Sequence, residues 1–355
     1  GLNIEIEPYH IDRNSNNCLS YKSIMPKRIA ITGASGHLGT VLINPLLQKG
    51  YSVKAQYRSS FPTISQDRLL WVQGNITDLE FLKELFKDCD VVIHCAGMIS
   101  LGGSDYNQVF DTNITGTTKV IEAILSHSHI KLIHISSTNA IGDIPQTEVF
   151  DENSQTKTNK NFAYGYSKAI SEQLVLDAIR DNRLNALTLR PSALIGPPDY
   201  KPSLVGQSVI DLINGKIPAL PSGGYDYVDI RDVANTIINS IEHGKSGEIY
   251  NLTGKYYSLK AFTKVLSNVT NKRITPLIIP IPLMVCLLPL ASLFSFFMKR
   301  KSAFTYESLM TLKHGHKKMN HEKAVRDLQH NSRHLKESLK DLVEWFENEK
   351  SNNDY

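Results

Sequence analysis

The chain has 355 residues, enough to bury a sizeable core as one large domain or two intimate ones. Its formal charge is only +4, which gives no reason to expect nucleic acid as a partner. Cys18, Cys89, Cys95 and Cys286 form no C-x-x-C pair, which argues against a disulfide framework or a zinc site and fits a reducing, cytoplasmic compartment.

Residues 1–25 are polar, rich in Asn and Ser, and lack the apolar core of a signal peptide. They read as an N-terminal extension, either a flexible arm or a surface strap. From Arg28 the pattern alternates strand and helix. Strands are expected over 28–32, 51–57, 69–73, 91–95, 131–136 and 186–189, and helices over 38–48, 79–87, 112–126 and 164–180. The run Val91-Val92-Ile93-His94-Cys95 has the continuous apolar character of a strand buried on both faces. Repeated strand–helix units imply a parallel sheet with helices on both sides, and such sheets bind ligands at the carboxyl ends of their strands.

Beyond Arg190 the rhythm breaks at Pro191, Pro197, Pro198 and Pro202. A helix is expected over 205–214, a return toward the sheet over 225–232, a helix over 233–243 and a strand over 248–252, then mostly helix and loop. The predicted fold class is α/β: a doubly wound, Rossmann-type parallel sheet with a smaller, mainly helical C-terminal lobe. The nucleotide domain takes 26–195, with 225–253 returning to the sheet. The lobe takes 196–224 and 254–350. His314, His316, His321, His330 and His334 have no accompanying cysteines and read as surface residues on polar helices, so no metal is expected.

Three motifs fall just after strands. Thr32-Gly33-Ala34-Ser35-Gly36-His37-Leu38-Gly39 joins the first strand to the first helix. Glycines let backbone approach a phosphate closely, and the helix start offers free N–H groups. The spacing G-x-x-G-x-x-G departs from G-x-G-x-x-G, so an ordinary turn is the plain alternative. Tyr164-Gly165-Tyr166-Ser167-Lys168 puts Tyr164 and Lys168 on one helix face. A nearby ammonium lowers a phenol's pKa from about 10 and makes it a usable proton carrier. The same Tyr and Lys could also be incidental on a surface helix. Ile135-Ser136-Ser137-Thr138 ends a strand and offers a hydroxyl to a substrate oxygen.

In this order the motifs resemble the extended short-chain dehydrogenases/reductases, the NAD(P)-dependent epimerases, dehydratases and reductases. Gly74-Asn75-Ile76-Thr77-Asp78, His94-Cys95-Ala96-Gly97, Asn113-Ile114-Thr115-Gly116-Thr117, Leu189-Arg190-Pro191 and Asp229-Ile230-Arg231-Asp232-Val233-Ala234 extend the resemblance over about Lys27 to Glu347. It implies Tyr164 as general acid/base, Lys168 as its support and grip on the nicotinamide ribose, and Ser137 on the substrate oxygen, with Thr138 as the fallback. It places Gly33, Ser35, Gly36, His37, Leu38 and Gly39 at the pyrophosphate. Asn75 and Ile76 would flank the adenine, although the family usually has Asp where Asn75 stands. Cys95, Ala96 and Gly97 would line the nicotinamide, with Pro191, Ala193 and Leu194 near its carboxamide. Asn113 would tie strand-end loops together.

The second strand ends Lys54-Ala55-Gln56-Tyr57-Arg58, without the acid that binds a ribose 2′-hydroxyl. Arg58 suits a 2′-phosphate, so NADP is preferred over NAD. Ala193 stands where nucleotide-sugar enzymes carry Asn. The stretches Arg190 to Pro197 and Ala324 to Leu328 are similar to the dihydroflavonol-reductase and 3β-hydroxysteroid-dehydrogenase branch. The expected function is hydride transfer between nicotinamide C4 and a carbonyl or secondary alcohol on an apolar small molecule. A nucleotide-sugar epimerase or dehydratase is one alternative, and a non-catalytic nucleotide-binding regulator another. Residues 274–298 carry no charge and are flanked by Lys272-Arg273 and Lys299-Arg300-Lys301. Pro276, Pro280, Pro282 and Pro289 weigh against a spanning helix, leaving a pocket wall, a homodimer contact or a peripheral membrane contact.

Overall fold

The computed structural model describes residues 26–62, 64–99, 105–127, 129–181, 183–286, 288 and 305–353. The expected extension 1–25, and residues 287 and 289–298 of the apolar stretch, lie outside them. In chain order the strands are β1 (Arg28–Thr32), β2 (Ser52–Tyr57), β3 (Leu69–Gln73), β4 (Val91–His94), β5 (Lys131–Ile135), β6 (Asn185–Pro191), β7 (Ala193–Ile195), β8 (Ala219–Pro221), β9 (Gly224–Asp229), β10 (Ile249–Leu252), β11 (Lys255–Ser258) and β12 (Leu277–Ile279). The helices are α1 (His37–Gln48), α2 (Leu79–Phe86), α3 (Tyr106–Phe110), α4 (Gly116–Leu125), α5 (Ala163–Arg180), α6 (Leu204–Ile213), α7 (Ile230–His243), α8 (Leu259–Thr270), α9 (Tyr306–His314), α10 (Glu322–Leu328) and α11 (Leu335–Asn353).

Seven strands pair in parallel in the order β10-β6-β5-β4-β1-β2-β3. Side chains alternate between the two faces of a strand, and both faces are covered here. Ile29 and Ile31 pack with Leu42, Leu46, Val233 and Ile237 of α1 and α7. Ala30 and Val92 face the other way, against Phe86, Ile124 and Val175. That double burial is why the strands read as apolar runs. The strand order reverses between β1 and β4, and a crevice at such a switch point is where doubly wound sheets bind ligands.

The second lobe is built on a three-stranded sheet, β11-β9-β7, with β8 paired to β12. Its core joins Val209, Phe262, Leu339, Leu342 and Phe346 of α6, α8 and α11. Three expectations are corrected. The return over 225–253 is made by α7 and β10 alone, because β9 pairs with β7 and β11 rather than with the main sheet. The helix expected over 112–126 begins at Tyr106 and passes through a π-helical turn, Asp111–Thr115, before α4. His316 and His330 are buried, not superficial; His330 reaches the Thr236 hydroxyl at 2.8 Å and the Thr253 carbonyl at 2.9 Å. Among the described residues no cluster could hold a metal, and no helix is long and apolar enough to cross a membrane.

Candidate active site

The glycine-rich turn leaves β1 at the switch point. Gly33 has φ +69°, and a Cβ there would lie 2.6 Å from the Ala96 Cα. The loops after β1 and β4 therefore cross in contact, in a conformation that L side chains adopt at a cost. Gln56, buried in β2, fixes the crossing: its Oε1 accepts from the Gly33 N–H at 2.7 Å and its Nε2 donates to the Gly74 carbonyl at 2.7 Å. The start of α1 has neither a side-chain cap nor an acidic residue in its first turn. Its free N–H groups and dipole fit an anion such as a dinucleotide pyrophosphate.

The expected cofactor residues are distributed unevenly about this point. Gly33 and Ser35 are partly open and Gly36 is exposed, while the Leu38 side chain packs into the sheet core and Gly39 is buried. The His37 ring turns to the second lobe, where Nε2 lies 2.9 Å from the Gly196 carbonyl, and burial holds its pKa below the usual value. Arg58 is exposed just past β2. A cleft of about 220 Å³ beside the turn is lined by Ser35, Gly36, Ser60, Phe61, Pro198 and Lys201. Asn75 is exposed, with Oδ1 accepting from the Thr77 N–H at 3.2 Å, and Ile76 is buried against Gly116. Cys95, Ala96 and Gly97 follow β4. Burial pushes the Cys95 thiol up to about 12. Pro191 closes β6, and Ala193 and Leu194 open β7, half-buried.

β5 delivers Ser137, whose hydroxyl accepts from the Asn139 N–H at 3.1 Å in a short helical turn, Thr138–Ala140. A Cβ at Gly165 would run into the Asn139 carbonyl, so glycine lets the first turn of α5 seat directly on this turn. That contact seats Tyr164 near enough for the Ser137 hydroxyl to act on its phenol. One turn on, Lys168 donates to the Ile135 carbonyl at 2.9 Å. Asn113, placed by the π turn, accepts from the Met98 N–H at 2.8 Å and donates to the Ser167 hydroxyl at 2.9 Å. It ties the loop after β4 to α5 rather than to another strand-end loop.

The electrostatics differ from the sequence expectation. Burial raises the Tyr164 phenol above its ordinary pKa, and the opposing influence is the Ser137 hydroxyl, not Lys168. Lys168 is itself pulled down to about 8 by burial, against the partial support of Cys95 and Glu172. Glu172 continues the i, i+4 face of Tyr164 and Lys168. It takes two hydrogen bonds from Arg190, at 2.9 and 2.6 Å, and one from the Ser136 hydroxyl. Neither Gln56 nor Glu172 was singled out by motif. The signal for Glu172 was there, an acid on the same helix face one turn beyond the Tyr–Lys pair.

A family model described as the NAD dependent epimerase/dehydratase family matches residues 29–253. Sterol demethylase protein B of Methylococcus capsulatus is 29% identical over 321 residues, covering 89% of this chain and 97% of that protein. A 4-hydroxy-2-methyl-3-oxo-4-farnesyl-3,4-dihydroquinoline-1-oxide ketoreductase of Stigmatella aurantiaca is 30% identical over 248 residues, covering 67% and 72%. The fold matches that of dTDP-glucose 4,6-dehydratase from Bacillus anthracis, solved in complex with NAD, with TM-score 0.74 and 19% identity over 92% of this chain and 98% of the other.

Proposed function

The chain belongs to the NAD-dependent epimerase/dehydratase family of extended short-chain dehydrogenases/reductases, and on that premise we propose that it reduces a carbonyl, or oxidises the matching secondary alcohol, on an apolar substrate with NADP(H). The observation that carries this reading is the seating of Tyr164 against Ser137 one helical turn from Lys168, beside the Gly33 crossing. The nicotinamide cofactor supplies or takes up the hydride. The start of α1 with Gly33, Ser35, Gly36 and the backbone of His37 would hold the pyrophosphate. Asn75 and Ile76 would flank the adenine, Cys95, Ala96 and Gly97 the nicotinamide, and Pro191, Ala193 and Leu194 its carboxamide. Lys168 grips the ribose hydroxyls, Ser137 orients the substrate oxygen, and Tyr164 gives that oxygen its proton or removes it.

Arg58 supports NADP: it is exposed at the end of β2, and among the described residues it has no ion pair. Charged hydrogen bonds of this kind contribute about 1.5–3 kcal/mol, so Arg58→Ala should weaken NADPH about tenfold or more and leave NADH nearly unchanged. An equal effect on both cofactors would remove the 2′-phosphate contact.

An apolar substrate is supported by Ala193, which stands where nucleotide-sugar enzymes carry Asn. The names of two relatives, one a sterol demethylase protein and one a ketoreductase of a farnesylated compound, support the same class. The deciding experiment follows NADPH absorbance with a 3-ketosteroid, a dihydroflavonol and UDP-glucose. Net NADPH loss with an apolar carbonyl is expected. Conversion of UDP-glucose without net loss would instead establish an epimerase, and inertness toward all three with tight NADPH binding would favour a regulator.

The exposed part of the uncharged stretch, at Leu277 and Leu283, is proposed to touch a membrane surface. Leu277 and Leu283 are exposed, and basic residues flank the stretch. Co-sedimentation with anionic vesicles should be lost on deleting 283–297. Equal recovery in the supernatant before and after deletion would discard the contact.

A further inference from the structure

The cleft beside the glycine turn has walls from both lobes. One wall is the start of α1, with Ser35 and Gly36, together with Ser60 and Phe61 of the segment after β2. The other is the loop 198–201 of the second lobe. The first wall is held in place. The Phe61 ring stacks on Trp71 at 4.7 Å and lies 4.6 Å from Tyr57, and the Trp71 Nε1–H donates to the Ile64 carbonyl at 3.0 Å.

The facing loop is pinned on both sides of Lys201. Before it, the Gly196 carbonyl meets His37 Nε2 at 2.9 Å, and the Tyr200 ring meets Trp345 edge-on at 5.4 Å. After it, the Ser203 N–H donates to the two Asp199 carboxylate oxygens at 2.9 and 3.0 Å, and the Ser203 hydroxyl donates to Asp199 Oδ2 at 2.8 Å. Ser203 also caps α6, accepting from the Gly206 N–H at 3.0 Å. A Cβ at Gly206 would lie 2.0 Å from Asp199 Oδ2, so glycine lets this buried acid sit against α6. Asp199 lines the cleft as well, 3.8 Å from His37, and its charge opposes an anion there. Lys201 is the one Lys or Arg among the described residues that lines the cleft. It is exposed and has no ion pair among them.

We propose that Lys201 determines cofactor specificity: from the second lobe, its ammonium binds the 2′-phosphate of NADP(H) in this cleft. This rests on the reading of NADP as the cofactor. Arg58 stands two residues before Ser60, so the end of β2 brings one cation to the phosphate and the loop 198–201 brings a second. Ser35 and Ser60 add hydroxyl donors on the opposite wall. The ammonium also offsets Asp199, which would otherwise repel the anion. A ribose 2′-hydroxyl carries no charge, so NADH gains little from Lys201. The pinned loop presents the lysine backbone already in place, which lowers the ordering cost of binding.

The test needs no substrate. Full-length protein is titrated with NADPH and with NADH, followed by nucleotide fluorescence, as the parent, Lys201→Met, Lys201→Arg and Arg58→Ala. K201M should weaken NADPH about tenfold and leave NADH within about twofold. K201R keeps the charge and should hold NADPH within about threefold of the parent. NADPH affinity unchanged in K201M overturns the proposal. So does an equal loss of both cofactors, which would move the lysine to the pyrophosphate or give it a purely structural part. Lys201→Gln is titrated beside K201M, so that one variant failing to fold still leaves a reading, and loss of folding in both also overturns the proposal. The parent and R58A keep the two ideas apart. A parent that binds NADH as tightly as NADPH defeats the NADP reading and the role of Lys201 with it. A parent that prefers NADPH, with R58A selective and K201M silent, defeats only the role of Lys201.

Discussion

Arg190 and Glu172 meet through two hydrogen bonds, 2.9 and 2.6 Å long, directly beneath the strand end that carries Ser136 and Ser137. Both are about 1% exposed. The remaining polar atoms are also used, since Arg190 donates to the Glu152 carbonyl at 3.2 Å and Ser136 donates to Glu172. Removing one partner of a buried pair strands the other charge, which typically costs about 3–5 kcal/mol, whereas replacing both with apolar groups can be nearly neutral. Glu172→Leu should lose stability in that range, and Glu172→Leu with Arg190→Met should recover a large part of it. Urea unfolding measures both. A single variant within about 1 kcal/mol of the parent would mean that water reaches the pair.

Tyr164→Phe removes one hydroxyl and leaves the ring. A positioned proton carrier contributes about 10²–10⁴-fold, so kcat should fall by at least that lower figure. Lys168 and the Gly33 crossing are untouched, so NADPH affinity should stay within about twofold. Stopped turnover with intact nucleotide binding is the expected pair of results. Turnover near the parent rate would move the proton to another group.

Gly33→Ala tests the crossing itself. The backbone there has φ +69°, and the added Cβ would collide with the Ala96 backbone. The left-handed conformation alone costs a non-glycine residue about 1–2 kcal/mol, and the collision must be relieved by parting the loops after β1 and β4. The proposed nucleotide site is built on those loops, so NADPH affinity should fall about tenfold or more alongside the loss of stability. Fluorescence titration of NADPH and a thermal melt read the two effects. Unchanged affinity would place the nucleotide elsewhere.

What the sequence makes legible here is local. Val91, Val92 and Ile93 announce a strand buried on both faces, and the four-residue step from Tyr164 to Lys168 announces a shared helix face, because each signal is complete within a few residues. Gln56 is a polar residue whose partners, Gly33 and Gly74, are distant in the chain, and nothing periodic marks it. The stretch 225–232 reads as a return toward the sheet, but its residues do not say which sheet β9 joins. His330 reads as a surface histidine until Thr236 and Thr253 are seen to satisfy it. The direction of the Tyr164 pKa failed for a related reason. A neighbouring cation can be counted from the sequence, whereas the burial that outweighs it depends on how α5 sits on the 138–140 turn.

Lys168 offers a pH signature in which binding and stability move in opposite directions. Burial pulls its ammonium down to about 8, below the ordinary 10.5 of a free lysine. Below about pH 8 the group is charged in both folded and unfolded chains, and the cost of burying the cation is fully present. As pH rises from about 8 toward 10.5 the folded chain releases a proton that the unfolded chain still holds, so this group's contribution to stability increases. The ammonium proposed to grip the ribose is lost over the same rise, so NADPH affinity should weaken. Titrations between about pH 7 and 9.5 should therefore show falling nucleotide affinity. Over the same range, parent protein should gain stability relative to Lys168→Met. The variant should bind NADPH poorly at every pH in the range. Parent affinity that stays flat through pH 8 would show that the ribose is held by something other than the Lys168 cation.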